Sequence, residues 1–83
     1  MRFKLVYTKK AADDLKKLDI LTRKRIGKKL LSYIKNPLKH AIKLTDKKIG
    51  EYRFRIGDHR VIFDRERNKI VILRIGHRKD IYK

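Results

Sequence analysis

The stretch YRFRIGDHRVIF (residues 52–63) decides the fold of this 83-residue chain. Apolar and polar residues alternate on both sides of the dipeptide Gly57-Asp58, which is typical of two half-buried strands. A two-residue loop that begins with glycine favours a type II′ turn. The pattern therefore predicts strands at 51–56 and 59–64, paired as an antiparallel hairpin.

The length of this loop sets the register of the hairpin. Phe54 should face Val61, and Tyr52 should face Phe63. Because side chains alternate between the two faces of a strand, these four residues share one face. We expect this face to form the core side of the sheet. A slip of one residue would exchange the faces, so the apolar pattern fixes the register.

The opposite face of the hairpin carries arginines. Arg55 should oppose Arg60, with Arg53 beside them. Opposed residues have Cβ atoms about 5 Å apart, and like charges at that distance destabilise a sheet. The arginines could extend into water, partly compensated by Asp64 on the same face. Alternatively, they could bind an anion such as phosphate, whose oxygens match the guanidinium fork.

The segment that precedes the hairpin predicts a strand followed by a helix. Residues 2–7 alternate apolar and polar side chains, as a strand does. Thr8 is suited to cap the helix that follows. Ala11, Leu15 and Leu18 recur at helical spacing and form one apolar stripe.

A second helix is predicted after a short connection, so the two helices should pair as a hairpin. Thr22 is its predicted N-cap. Asn36-Pro37 should end it, because the residue before proline is pushed out of the α region. Its apolar positions recur at helical spacing: Ile26, Leu30, Leu31, Tyr33 and Ile34.

The remaining segments complete the prediction of the fold. Residues 41–45 are a weak strand candidate, 65–68 read as a polar loop, and 69–75 form a β-branched strand. We expect one domain over residues 1–83 with an α+β architecture. In it, an N-terminal strand and a two-helix hairpin pack with a mostly antiparallel sheet of three or four strands, the helices on one face.

The composition indicates a polyanionic partner. The chain has 26 Lys and Arg against nine Asp and Glu, a net charge of +17. Such a charge attracts nucleic acid, acidic proteins or anionic membranes. No apolar run approaches the roughly 18 residues of a membrane span, and the N-terminus does not resemble a signal peptide. We therefore expect a cytoplasmic protein that does not enter a membrane.

The sequence predicts no metal or cofactor site. The chain contains no cysteine, and His40, His59 and His77 follow no ligand spacing. Neither a P-loop nor a glycine-rich dinucleotide motif is present.

The C-terminal segment IGHRKDIYK adds further reactive side chains. Gly76 is interpreted as a point where the backbone bends sharply. His77 can exchange a proton near neutral pH, and Tyr82 could stack on a base or take part in proton transfer. Dispersed positive charge with a proton donor and acceptor suits phosphoryl transfer. The candidate catalytic residues are therefore Arg53, Arg55, Arg60, His77, Arg78 and Tyr82.

These residues resemble the RelE/ParE superfamily of toxins from type II toxin–antitoxin systems. The resemblance covers essentially the whole chain. Its most specific parts are the hairpin YRFRIGDHRVIF and the terminal IGHRKDIY. RelE-type members are ribosome-dependent endoribonucleases that cut mRNA in the ribosomal A site without a metal. The ribose 2′-OH attacks the adjacent phosphate and leaves a 2′,3′-cyclic phosphate.

The resemblance implies a role for each candidate residue. Arg60 and Arg78 would hold the scissile phosphate, while Arg53 and Arg55 would stabilise charge, including that of the leaving oxygen. The RelE pattern has lysines at the positions of Arg53 and Arg55. Arginine cannot exchange a proton at physiological pH, so proton transfer falls to His77 and Tyr82, and Tyr82 could also orient the nucleotide.

The resemblance also implies partners and an alternative function. A cognate acidic, RelB-like antitoxin would hold the toxin inactive, and mRNA and ribosomal RNA would compete for the same basic surface. ParE-type members share the fold but inhibit DNA gyrase by binding, without cutting RNA. They generally lack the full basic set, which favours the RelE interpretation. A ribosome-independent RNA-binding module is a third alternative.

Overall fold

In a computed structural model, which describes residues 2–46 and 48–82, helices cover one face of a mixed sheet. The predicted α+β architecture is confirmed. The elements are β1 (Lys4–Tyr7), α1 (Lys9–Lys16), α2 (Ile20–Tyr33), α3 (Pro37–His40), β2 (Ala41–Lys43), β3 (Tyr52–Ile56), β4 (His59–Glu66) and β5 (Lys69–His77).

The sheet has five strands in the order β1-β5-β4-β3-β2. Strand β1 pairs with β5 in parallel, whereas the other three pairings are antiparallel. The expected three or four strands become five because the N-terminal strand joins the same sheet. A parallel pair requires a crossover connection, and the chain between β1 and β5 includes the helices that cover the sheet.

The predicted register of the central hairpin is confirmed. Tyr52 pairs with Phe63, Phe54 with Val61, and Arg55 with Arg60. Gly57 has a φ of 60°, in the left-handed region that a type II′ turn requires at its first loop position. The turn therefore fixes which side chains reach the core and which reach the opposite face.

The core lies between the helices and the face that carries Phe54 and Phe63. These two rings stack with centroids 4.2 Å apart, and the ring of Tyr33 from α2 lies 5.2 Å from Phe54. The predicted apolar positions Ile26 and Leu30 are fully buried. Leu31 is not: it is 59% exposed, so its inclusion in the apolar face of α2 was wrong.

The helix caps agree with one prediction and correct the other. Thr8 caps α1, and its hydroxyl accepts a hydrogen bond from the backbone N–H of Ala11 at 3.2 Å. Asp19, rather than Thr22, caps α2. The Asp19 carboxylate accepts from the backbone N–H of Thr22 at 3.1 Å and from its hydroxyl at 2.6 Å. The helix therefore begins earlier than predicted, with Thr22 inside its first turn.

Two connections differ from the predictions. Half of the predicted loop at 65–68 is strand, because β4 continues to Glu66 and β5 begins at Lys69. The turn between them is left to Arg67 and Asn68, and Arg67 adopts a φ of 54°. After α2 ends, Pro37 also starts the short helix α3, since proline is tolerated in a first helical turn.

The second face of the sheet is only partly open. Ile62 on this face is fully buried. Gly50 passes directly over it, with a φ of 152°, and a Cβ at Gly50 would lie 2.5 Å from Cγ2 of Ile62. The segment before β3 therefore covers part of the face that also carries the arginines.

Candidate functional site

Arg60 is the most enclosed of the predicted site residues. Arg60 is 8% exposed, so its side chain does not extend into water, which was one of the two alternatives for the arginines. Its Nη1 donates to the carbonyl oxygens of Gly57 and His59, both at 3.0 Å. The guanidinium is therefore folded back against the β3–β4 turn and is held in one orientation.

Positive charge is concentrated around Arg60. Burial lowers the pKa of its guanidinium, and the charges of Arg55, Arg53 and Arg78 lower it further. Across residues 2–46 and 48–82, no carboxylate forms a salt bridge with Arg53, Arg55 or Arg60. This part of the sheet is therefore a cationic surface that an anion would stabilise.

Among the described residues, Asp64 forms no salt bridge with the arginines that it was considered to compensate. Its carboxylate accepts a hydrogen bond from the backbone N–H of Glu51 at 2.9 Å. Asp64 thus anchors the segment that enters β3.

Two C-terminal residues join the arginines. Arg53 Nη1 donates to the phenolic oxygen of Tyr82 at 2.8 Å. The backbone N–H of Arg78 donates to the carbonyl of Asp58 at 2.8 Å, and the Arg78 Nε lies 3.9 Å from the Asp58 carboxylate. The structure thus brings together five of the six predicted residues, because the C-terminal segment folds back beside the β3–β4 turn. We name Arg53, Arg55, Arg60, Arg78 and Tyr82 the arginine cluster.

Gly76 positions this C-terminal segment, but not by the predicted sharp bend. It lies within β5, and a Cβ there would stand 3.1 Å from Cδ1 of Ile81. The missing side chain makes room for Ile81, which is buried. The docked Ile81 in turn places Tyr82 beside Arg53.

His77 lies on the other side of the sheet from the arginine cluster. It pairs with His59, and the two rings meet edge to face with centroids 5.6 Å apart. His59 shares the face of Val61, which belongs to the core side. The His77 Nδ1 accepts from the backbone N–H of Lys79 at 3.1 Å, so the neutral ring carries its proton on Nε2.

The candidate site residues predicted from the sequence included neither His59, the partner of His77, nor Arg25 from α2. The guanidinium of Arg25 reaches from α2 to the turn, 3.8 Å from where a Cβ of Gly57 would stand. Burial lowers the pKa of His59, and the charges of His77 and Arg25 lower it further. Strand pairing of β4 with β5 could have placed His59 opposite His77, but the approach of α2 could not be read from the sequence.

Stability should fall as the pH decreases from 7.5 to 5.5. The folded pKa of His59 lies below the usual 6.5 because of burial, His77 and Arg25, although Asp58 and Asp19 oppose the shift. The unfolded chain then binds more protons than the folded chain as the pH falls through 6.5. Thermal melting at both pH values should show a smaller loss in His59→Gln than in the parent protein. An equal loss in the two proteins would contradict this assignment.

An open cleft of about 550 Å³ lies on the arginine side of the sheet. Its floor is apolar, formed in part by Ile62, Leu73 and Ile81, and Tyr82 contributes to its wall. Its remaining lining residues are Thr8, Lys9, Lys10, Lys48, Ile49 and Arg74. This cleft could not be predicted from the sequence, because its lining residues come from five separate segments of the chain.

The described residues contain neither a metal-binding cluster nor a helix that could cross a membrane. No three His, Cys, Asp or Glu side chains come together there in an arrangement that could bind a metal. None of the helices within 2–46 and 48–82 is long and apolar enough to cross a membrane.

The fold and the sequence identify the class of protein. The family model described as the ParE toxin of the type II toxin–antitoxin system, parDE, matches residues 5–82. The chain therefore belongs to the RelE/ParE superfamily of type II toxins. A search of curated proteins finds no match for it.

Solved structures with the same fold come from toxin–antitoxin systems. The RelB–RelE complex from Methanococcus jannaschii shares 28% identity over 94% of this chain and 95% of that chain, with a TM-score of 0.73. The RelBE2 complex from Mycobacterium tuberculosis shares 22% identity over 93% of this chain and 99% of that chain, with a TM-score of 0.85. A mutant of the E. coli toxin RelE in the free state shares 18% identity over 99% of this chain and 92% of that chain, with a TM-score of 0.77.

Proposed function

We propose that this toxin is a ribosome-dependent endoribonuclease that cleaves mRNA without a metal. The observation that supports this proposal is the arginine cluster, in which Arg53, Arg55 and Arg60 have no salt-bridged carboxylate among the described residues. Like charges held together on a rigid sheet cost stability unless an anion joins them. The phosphodiester of RNA supplies that anion, and guanidinium groups match its oxygens.

The cluster can stabilise the transition state of a transesterification within RNA. The ribose 2′-oxygen bonds to the adjacent phosphorus, and the bond from phosphorus to the 5′-oxygen breaks. The products are a 2′,3′-cyclic phosphate and a free 5′-hydroxyl. Arg55 and Arg60 carry fixed positive charge to the phosphoryl oxygens, where negative charge develops. Arg78, at the adjacent turn, extends the same field.

Tyr82 is the proton donor that the geometry favours. Its phenolic oxygen accepts from Arg53 at 2.8 Å, so its own proton is directed elsewhere. In the proposed step this proton passes to the departing 5′-oxygen, and Arg53 stabilises the phenolate that remains. The proton of the 2′-OH passes to solvent, from which Tyr82 regains a proton after the product leaves.

His77 is less suited to act as the base at the arginine cluster. It lies on the core side of the sheet, and its Nδ1 is already occupied by the Lys79 N–H. In its neutral form the ring presents a donor, Nε2–H, rather than an acceptor. His77 is therefore given no role in the proposed step.

The proposed partners follow from charge and from the related complexes. The M. jannaschii and M. tuberculosis structures are toxin–antitoxin complexes, so a cognate antitoxin is proposed here as well. A net charge of +17 favours an acidic, RelB-like antitoxin that orders on binding. The same charge favours ribosomal RNA, which would present the mRNA of the A site to the arginine cluster.

Inhibition of DNA gyrase is the second candidate function. It is favoured by the description of the matching family model, which names ParE. In this case the cationic surface would bind a protein, and the orientation of Tyr82 by Arg53 would have no chemical role.

Induced expression followed by mapping of mRNA 5′ ends distinguishes the two functions. Because translation presents codons one at a time, a ribosome-dependent nuclease should leave cuts phased with codons and confined to translated regions. A transcript whose start codon is removed serves as the matched control and should not be cut. Growth arrest with altered plasmid supercoiling and no new 5′ ends would support gyrase inhibition and reject the nuclease.

A further inference from the structure

We propose that the cleft beside Tyr82 binds the nucleotide of RNA that adjoins the scissile phosphate. The base would lie on the apolar floor, and its phosphate would lie on the lysine rim. This inference rests on the proposed function, because it makes the cleft and the arginine cluster two parts of one RNA-binding surface.

The floor of the cleft suits a nucleobase. Leu73 is half-buried and supplies accessible apolar surface in the floor, whereas Ile62 is fully buried and Ile81 nearly so. Tyr82, which also lines the cleft, is 45% exposed and leaves its ring accessible. Every base has a flat apolar face that stacks on aromatic side chains without regard to sequence. The floor therefore favours a single-stranded nucleotide.

The rim of the cleft suits a phosphate. Lys9 and Lys10 from the first turn of α1 and Lys48 from the segment before β3 are exposed along it. Arg74 also lines the cleft, but its charge is paired with Asp14 at 2.8 Å. Among the described residues, the side chains that line the cleft include no Asp or Glu. Three lysines without a lining carboxylate thus face an apolar floor.

Tyr82 makes the cleft continuous with the arginine cluster. Its hydroxyl accepts from Arg53, while the same residue lines the cleft. A strand of RNA repeats a phosphate and a base at every nucleotide, so one strand can satisfy both regions at once. An acidic peptide could occupy the cleft, but it would not carry the phosphodiester for which the adjoining guanidinium fork is suited.

The test measures binding rather than cleavage. The probe is a labelled RNA hexamer in which 2′-deoxy nucleotides prevent attack by the 2′-oxygen, and the readout is fluorescence anisotropy at several salt concentrations. Lys48→Ala should weaken binding about fivefold. It should also reduce the slope of log K against log salt concentration by about 0.7, the value expected when one phosphate contact to a single strand is lost. Lys39→Ala, an exposed lysine on α3, is the matched control and should change both values little.

The floor is tested with the base removed from one nucleotide of the hexamer at a time. At one position the abasic substitution should weaken binding about tenfold, as loss of one stacked base does. When the abasic RNA is bound by Leu73→Ala, the two losses of binding free energy should not be additive at that position, because both changes remove the same contact. Additive effects at every position would overturn the inference.

Two further outcomes separate this inference from the proposed function. If Lys48→Ala and Lys39→Ala weaken RNA binding equally, or if Lys48→Ala weakens only the binding of an acidic peptide, the cleft is not a nucleotide site even where mRNA is cut. If Lys48→Ala acts as expected while no mRNA is cut, the cleft site stands and the nuclease fails.

Discussion

Arg60→Ala is expected to lower the rate of mRNA cleavage at least a hundredfold. Removing one preorganised donor to a developing oxyanion typically costs a factor of about 10² to 10³. Arg60 is the member of the arginine cluster whose orientation is most restricted, because it donates to the carbonyls of Gly57 and His59. The rate is measured by primer extension on a translated mRNA at equal concentrations of folded protein.

The effect of Arg60→Ala on folding must be distinguished from its effect on the rate of cleavage. Arg60 is buried, so the alanine variant should also melt at a lower temperature. Arg60→Lys keeps the charge but loses the bidentate fork, and Arg55→Ala removes an exposed guanidinium with little effect on folding. Both should still cut more slowly than Arg2→Ala, an exposed control. Cleavage at the parental rate by folded Arg60→Ala and Arg55→Ala would remove the cluster from the chemistry.

Phe54→Ala is expected to destabilise the protein by about 3 to 5 kcal/mol. The ring is fully buried, stacks on Phe63 and contacts Tyr33, so its removal leaves a cavity between the sheet and α2. In a domain of this size each kcal/mol shifts the melting temperature by roughly 4 to 8 °C. Thermal denaturation should therefore show a decrease of more than about 12 °C.

The matched control is Ile42→Ala, on the edge strand β2, where the side chain is 49% exposed. It should change the melting temperature much less than Phe54→Ala does. Equal shifts in the two variants would mean that Phe54 does not belong to the core, and that the assignment of the two sheet faces is inverted.

Local patterns account for the part of the fold that the sequence predicts. The alternation in residues 52–63 and the Gly57-Asp58 loop predicted the register that pairs Arg55 with Arg60. Thr8 and the stripe at Ala11 predicted the start and the buried face of α1. Turns, caps and periodicity act over a few residues, so they can be read without knowledge of the rest of the chain.

The errors share a different cause. Extension of Arg60 into water was one of two alternatives, but this side chain donates to the carbonyls of its own turn. Gly76 was interpreted as a bend, but it makes room for Ile81. In each case, the deciding contact comes from how the chain folds back on itself in three dimensions.

The sequence therefore contained the residue types of the candidate site, but only part of their arrangement. Strand alternation placed Arg53, Arg55 and Arg60 together, since their spacing is a property of one hairpin. The docking of the C-terminal segment added Tyr82 to that face and left His77 on the other. That separation depends on long-range packing between segments, which no local pattern encodes.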